Sequence, residues 1–230
     1  MSKTYVFAGA SSKTAIACAQ LLQNQNHKVI GISTKEKTFA YDEFYQIEQY
    51  AFGAFPKLNC AIDGLVYFPG TIQLKPFQRM SEKDFVNDYQ INSLGAVAFA
   101  QAFLLDLKNG TAPAIVFISS VAAQTGMPFH SSIAMAKAAI EGLTKALAAE
   151  LAPSIRVNAI APSLSNTPLA EKFINTPEKL ETSEKRNPLK KVGKATDLAN
   201  AITFLLGDEA SWITGQILAV DGGMGNLKVM

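Results

Sequence analysis

Residues 4–22 read TYVFAGASSKTAIACAQLL, and the fold class follows from how that stretch divides. Tyr5 to Ala8 form a short apolar run of strand character. Gly9 ends it, and from near Thr14 the apolar residues recur at helical spacing as far as Gln23. A buried strand turning sharply into an amphipathic helix is the first half of a β-α-β unit. Further apolar runs follow at Val29 to Ser33, Leu65 to Phe68 and Ile115 to Ser119, the last two each leading into a helical pattern. Ser81 with Asp84 predicts a capping box opening a long helix, and Gly110, after Lys108 and Asn109, closes it. The helix from Asp197 to Leu206 stops at Gly207 by the same logic. Alternation of this kind predicts an α/β protein with a doubly wound parallel β-sheet flanked by helices. Between Thr34 and Asp63 the chain is aromatic and irregular, although a crossover helix and a third strand have to fit there.

A chain of 230 residues with 48% hydrophobic content buries one sizeable core, so residues 1–230 are expected to be a single domain. No internal repeat or long linker divides it. The polar segment from Asn175 to Lys194 reads as a mobile loop or short helices over a cleft, within a lid spanning 163–194. Lys plus Arg number 21 against 19 Asp plus Glu, a net +2, which is no excess of the sort that attracts nucleic acid or an anionic membrane surface. Small molecules are the expected partners. The opening MSKTYVFAGA runs straight into a strand without the pattern of a secretory leader, and no apolar span reaches membrane length. Cys18 and Cys60 are expected to be free thiols in a reducing cytoplasm.

The turn after the first strand has its own chemistry. Where a strand runs into a helix in this way, backbone N–H groups and the helix N-terminus are brought up to a dinucleotide pyrophosphate, which makes Gly9, Ser11, Ser12, Lys13 and Thr14 candidates for cofactor binding. Only one of the usual three glycines is present, Lys13 and Ala15 standing in the other two places. At the end of the second strand an acidic side chain would hydrogen-bond a ribose and repel a 2′-phosphate. Here GISTKEK offers Ser33 and Thr34 as donors, with Lys13 and Lys35 as nearby charge, which favours NADP(H) over NAD(H). Both lysines read equally well as solvated surface residues.

Five later stretches carry a family resemblance: DGLVYFPG from Asp63, INSLGAV from Ile91, ISSVAAQTGMPFHSSIAMAK from Ile118, RVNAIAPSLSNTPL from Arg156, and NPLKKVGKATDLANAITFLLGDEASWITGQILAVDGG from Asn187. In that order they resemble the short-chain dehydrogenase/reductase family, most nearly its 3-oxoacyl-carrier-protein reductases and small ketone reductases. GASSKTAIA looks like the loop of enoyl-carrier-protein reductases. The resemblance spans almost the whole chain except 34–63, and it implies a single-domain Rossmann fold. It also implies hydride transfer between a nicotinamide and a carbonyl carbon, with a tyrosine as acid, a lysine that lowers the tyrosine pKa and holds the ribose, and a serine that binds the carbonyl oxygen.

Carried over residue by residue, Lys137 is that lysine, Ser120 the serine and Asn92 a water-holding asparagine. Gly70 is what remains of a cofactor-contacting Asn-Asn-Ala-Gly, while Pro162 and Thr167 fall at positions that contact the nicotinamide. Ile133, four residues before Lys137, occupies the tyrosine position and has no proton to give. Enoyl reductases place their tyrosine seven residues before the lysine, where this chain has His130. An imidazole there could act as acid if the helix begins early enough, or it could sit in the preceding loop facing solvent. Ala134, Ala138 and Ala139 suit the helix packing of the family's tetramers, so a homo-oligomer, dimer or tetramer, is implied. Two functions stay open: an NADP(H)-dependent reductase of a ketone or related carbonyl or enoyl substrate, and an NADP(H)-binding sensor or assembly subunit with little turnover.

Overall fold

The inner strands of the main sheet are apolar on both faces because helices cover both. In the computed structural model, which describes residues 2–228, the sheet contains β1 (Thr4–Ala8), β2 (Lys28–Ser33), β3 (Glu43–Gln46), β4 (Gly64–Tyr67), β5 (Ala114–Ile118), β6 (Arg156–Pro162) and β9 (Ile217–Val220). All pair in parallel in the order β3-β2-β1-β4-β5-β6-β9. Alternation along β1 sorts the core. Tyr5 and Phe7 pack with Cys18 and Leu22 of α1 (Lys13–Asn24) and with Leu198, Ile202 and Leu205 of α8 (Ala195–Leu206). Val6 and Ala8 face the opposite layer, where Phe99 of α3 (Gly95–Ala102), Leu107 of α4 (Leu104–Lys108) and Ile140 of α5 (Ser131–Leu151) are buried. The expected single Rossmann-like domain is therefore what forms. Strand order reverses between β1 and β4, so a crevice opens at the carboxyl ends of the strands there. Among the described residues, no helix is long and apolar enough to cross a membrane.

Two expectations about individual elements are corrected. The helix expected to run from Ser81 to Gly110 is broken. Its capping box is present, with Ser81 accepting from the Asp84 amide and Asp84 accepting from the Ser81 amide, and α2 (Glu82–Tyr89) follows. At Gln90–Leu94 the backbone then widens into a π turn before α3. The Asn92 side chain causes the break: its Nδ2 donates to the Asp88 carbonyl at 2.8 Å, taking up a backbone acceptor of the preceding turn. A second break falls at Phe103, whose ring packs against Phe99 and Phe55. The other correction concerns 34–63, where the third strand is present but no crossover helix is. Tyr41 does the covering instead. Its ring lies where any side chain at Gly31 would have to go, it packs edge-on to Phe39, and its hydroxyl donates to the Ala10 carbonyl at 2.6 Å.

The polar excursion expected as a lid does hold short helices, α6 (Glu171–Ile174) and α7 (Pro177–Arg186). Its base is tied by a two-stranded parallel ladder between β7 (Ser165–Asn166) and β8 (Gly193–Lys194). Gly193 packs closely there, since a Cβ would come within 2.8 Å of Ser165 Oγ and the hydroxyl would have to turn aside.

Candidate active site

Four strand ends converge on one cleft of about 1250 Å³: Gly9 after β1, Phe68 to Gly70 after β4, Ser119 and Ser120 after β5, and Pro162 closing β6. At one end stands the turn into α1. Gly9 has φ +75°, and a Cβ on it would meet the Pro69 ring at 2.9 Å, so both conformation and space demand glycine. Ser12 caps α1, its hydroxyl accepting from the Ala15 amide at 3.1 Å. The amides of Lys13 and Thr14 in the first turn find no acceptor among the described residues. Orphan amides and the positive end of the helix dipole make this turn a fit for a pyrophosphate, and Ser11, Ser12 and Thr14 line the cleft beside it.

The other candidates at this end divide. Thr34 and Lys35 line the cleft together with Glu48 and Tyr50, and the Tyr50 hydroxyl accepts from the Thr34 amide at 3.2 Å. Ser33 is fully buried. Its hydroxyl donates to Ser11 Oγ and accepts from the Lys35 amide, both at 3.1 Å, so it braces the loop and does not face the cleft. Lys13 points elsewhere, into a hollow shared with Asn166 and Lys194, because the first helical turn directs its side chain away from the strand ends. As charge beside the second strand it is corrected.

At the far end the structure brings Ser120, Asn92, Gly70, Pro162, Thr167 and Lys137 onto one cleft, with Ile133 and His130 among them. Lys137 lies in the second turn of α5, only 7% exposed, and its Nζ donates to the Ile118 carbonyl at 2.7 Å. Burial pulls its pKa down to about 8, against a smaller upward pull from Asp88. Two Nζ protons remain for the cleft. Ser120 Oγ accepts from the Ala122 amide at 3.2 Å, which leaves its O–H free to donate. Next to it, Ser119 Oγ donates at 2.8 Å to Glu141, a buried carboxylate that also accepts from Gln124. This pair fixes the strand end that presents Ser120.

Ile133 is 4% exposed and lines the cleft with hydrocarbon, one helical turn before Lys137. His130 is the N-cap of α5, one residue outside the helix, and is half-buried. Its Nδ1 is 2.7 Å from the Pro128 carbonyl, an acceptor only, so Nδ1 carries a proton and Nε2 is the nitrogen left for other partners.

Sequence reading missed a group beside this site. Thr71, Asp88 and Ser132 are linked by hydrogen bonds, and Asn92 donates to Thr71 Oγ1 at 2.7 Å. The signal was present in the spacing, since Asp88 and Asn92 are four apart and share one helical face.

Known proteins resemble this chain in sequence and in fold. Residues 45–225 match the family described as enoyl-(acyl carrier protein) reductase. The chain is 39% identical over 168 residues to the 3-oxoacyl-(acyl-carrier-protein) reductase of Thermotoga maritima, a match covering 71% of this chain and 66% of that protein, just under two thirds. Its fold superposes with TM-score 0.89 and 27% identity on ligand-free aldohexose dehydrogenase from Thermoplasma acidophilum, covering 100% of this chain and 96% of that one. It also superposes with TM-score 0.85 and 26% identity on ElxO with NADP bound, covering 97% and 99% of the two chains.

Proposed function

Because this chain belongs to the short-chain dehydrogenase/reductase family of oxidoreductases, whose members bind a nicotinamide cofactor, we propose that it is an NADP(H)-dependent reductase of a ketone or related carbonyl or enoyl substrate. The observation that carries this reading is the buried Lys137 sharing a cleft with the free Ser120 hydroxyl and the α1 turn. The preference for NADP(H) rests on Thr34 and Lys35 outweighing one exposed carboxylate, Glu48, at the same end. One relative in the fold comparison holds NADP.

Bound NADPH supplies a hydride. In this reading the amides of Lys13 and Thr14, with Ser11 and Ser12, take the pyrophosphate, while Gly9 and Gly70 let the backbone approach. Lys137 holds the nicotinamide ribose through its two free protons. Pro162 and Thr167 bound the nicotinamide end, and the Ser120 O–H polarises the carbonyl oxygen as negative charge develops there. Ile133 contributes no proton. Another group has to supply it, and His130 or water passed along Asn92 and Lys137 are the routes that the sequence offers. The segment 163–194 acts as a lid. We further take the protein to be a cytoplasmic homo-oligomer, dimer or tetramer, with the small residues Ala134, Ala138 and Ala139 of α5 facing a second copy.

The hydrocarbon of Ile133 on the cleft wall favours a second reading, an NADP(H)-binding sensor or assembly subunit with little turnover. Ile133→Tyr separates the two. A positioned acid is worth roughly a hundredfold to ten-thousandfold, so the reductase reading expects this variant to raise reduction of a panel of simple ketones by at least about tenfold. No gain, together with no wild-type turnover, favours the sensor.

A further inference from the structure

Behind Ile133 lies a carboxyl group that the mechanism above leaves idle. Asp88, at the end of α2, is 0% exposed, and both of its oxygens are engaged. Thr71 Oγ1 donates to Oδ1 at 2.5 Å and Ser132 Oγ donates to Oδ2 at 2.6 Å. Ser132 immediately precedes Ile133, so one carboxylate ties the wall that lacks the phenol to Thr71. Thr71 opens on the cleft, next to Gly70, whose Cβ position lies 3.6 Å from Lys137 Nζ. The charge that faces Asp88 is Lys137 on α5. The loop after β4 and the π turn contribute the neutral Thr71 and Asn92.

Counting protons shows what this chain of groups can do. A threonine hydroxyl has one proton and two lone pairs. The Asn92 amide has a fixed orientation, because its Oδ1 accepts from the Thr71 amide at 3.3 Å while its Nδ2 donates to the Asp88 carbonyl at 2.8 Å. The remaining Nδ2 proton therefore goes to Thr71 Oγ1 at 2.7 Å, filling one lone pair in every state. With Asp88 ionised, Thr71 gives its proton to the carboxylate and shows the cleft a lone pair. With Asp88 protonated on Oδ1, that acid fills the second lone pair, and the Thr71 proton turns into the cleft. Asp88 thus decides whether Thr71 meets a ligand as acceptor or as donor.

We propose that Thr71 is the proton donor of this site, with Asp88 as the acid behind it, together replacing the phenol that Ile133 lacks. This rests on the reductase reading. When hydride adds to the carbonyl carbon, the carbonyl π electrons move to oxygen. That alkoxide takes the Thr71 proton as Thr71 Oγ1 takes the proton of Asp88, and the products are an alcohol, an intact threonine and the Asp88 carboxylate. Once the alcohol leaves, cleft water returns a proton to Asp88 through Thr71 in the reverse order. Ser132 donates to Oδ2 throughout and holds the carboxyl plane.

The coupling is tested without any substrate by infrared spectroscopy of the purified full-length protein across an acid titration. The expected result is a buried carboxylic C=O band that disappears in Asp88→Asn and shifts in Thr71→Val. A band unmoved by Thr71→Val overturns the proposal. Turnover is then read as NADPH oxidation with a panel of simple ketones. Thr71→Val should lower kcat about a hundredfold, with KM and NADPH affinity within about threefold, and Thr71→Ser should restore most of it. Thr71→Val keeps the size of the side chain, so it tests the route even if Asp88→Asn does not fold. Wild-type turnover that survives Thr71→Val overturns the donor role alone. A wild type that binds NADPH but reduces no ketone overturns the reductase reading and the donor role with it.

Discussion

On the cleft floor Lys137, Asn92 and Ser119 are 7%, 1% and 2% exposed, whereas α6 and α7 of the roof bury no residue at all. The floor is held by hydrogen bonds among its own groups. Lys137 is anchored on a strand carbonyl, Asn92 on the preceding turn of its helix and Ser119 on Glu141. The roof is held at its margins, by the β7–β8 ladder, by Asn187 donating to the Asp221 carbonyl, and by exposed Lys172 reaching the Ile72 carbonyl. Groups that satisfy one another before a ligand arrives are preorganised, and preorganised dipoles are where catalytic free energy resides. A surface segment with few buried contacts opens easily and is suited to admit, enclose and select a substrate. Floor substitutions should therefore act on kcat and cofactor affinity, and roof substitutions on KM.

The largest effect is expected at Lys137. Lys137→Met should weaken NADPH binding at least tenfold, by about 1.4 kcal/mol or more, and remove measurable ketone reduction. The same variant exposes a pH dependence. The Lys137 pKa is about 8 in the fold against the ordinary 10.5, so between those values the unfolded chain binds more protons than the native one. Stability from this group is lowest below pH 8 and rises as pH climbs towards 10.5. Any advantage in melting temperature that Lys137→Met has over wild type at pH 7 should shrink steadily by pH 10, and a constant gap would contradict the burial account.

Asn92→Ala comes next. It strips a donor from Thr71 and from the Asp88 carbonyl inside the fold, leaving buried groups unpaired, and should cost about 1–3 kcal/mol in denaturant unfolding. Gly193→Val should do least to the chemistry. Its side chain would press on Ser165 Oγ and part the ladder at the base of the roof, raising KM several-fold while kcat stays within about twofold. A loss of kcat larger than the change in KM would erase the distinction between floor and roof.

The same division governed what the sequence disclosed. Strands and the Ser81 capping box were legible because each depends on local pattern, a short apolar run or a cap and its N3 partner, whereas Ser120 and Lys137 were implied by the family resemblance. The crossover between β2 and β3 was not, since its covering layer is an aromatic cluster built around Tyr41, whose contacts with Gly31 and Ala10 are long-range and leave no periodicity. Asp88 was passed over as one charged residue on an amphipathic helix. It becomes conspicuous only when the π turn at Gln90–Leu94 rotates it beneath Thr71 and Ser132. Ser33 and Lys13 show the opposite error, right in position along the chain but turned away from the cleft in space.

Calorimetric titration of the purified protein with NADPH and, separately, with NADH tests the central claim most directly. NADPH is expected to bind at least tenfold tighter than NADH, a difference of about 1.4 kcal/mol. Equal or tighter NADH binding would contradict the reading of Thr34 and Lys35, and no binding of either would contradict the preorganised floor as a cofactor site.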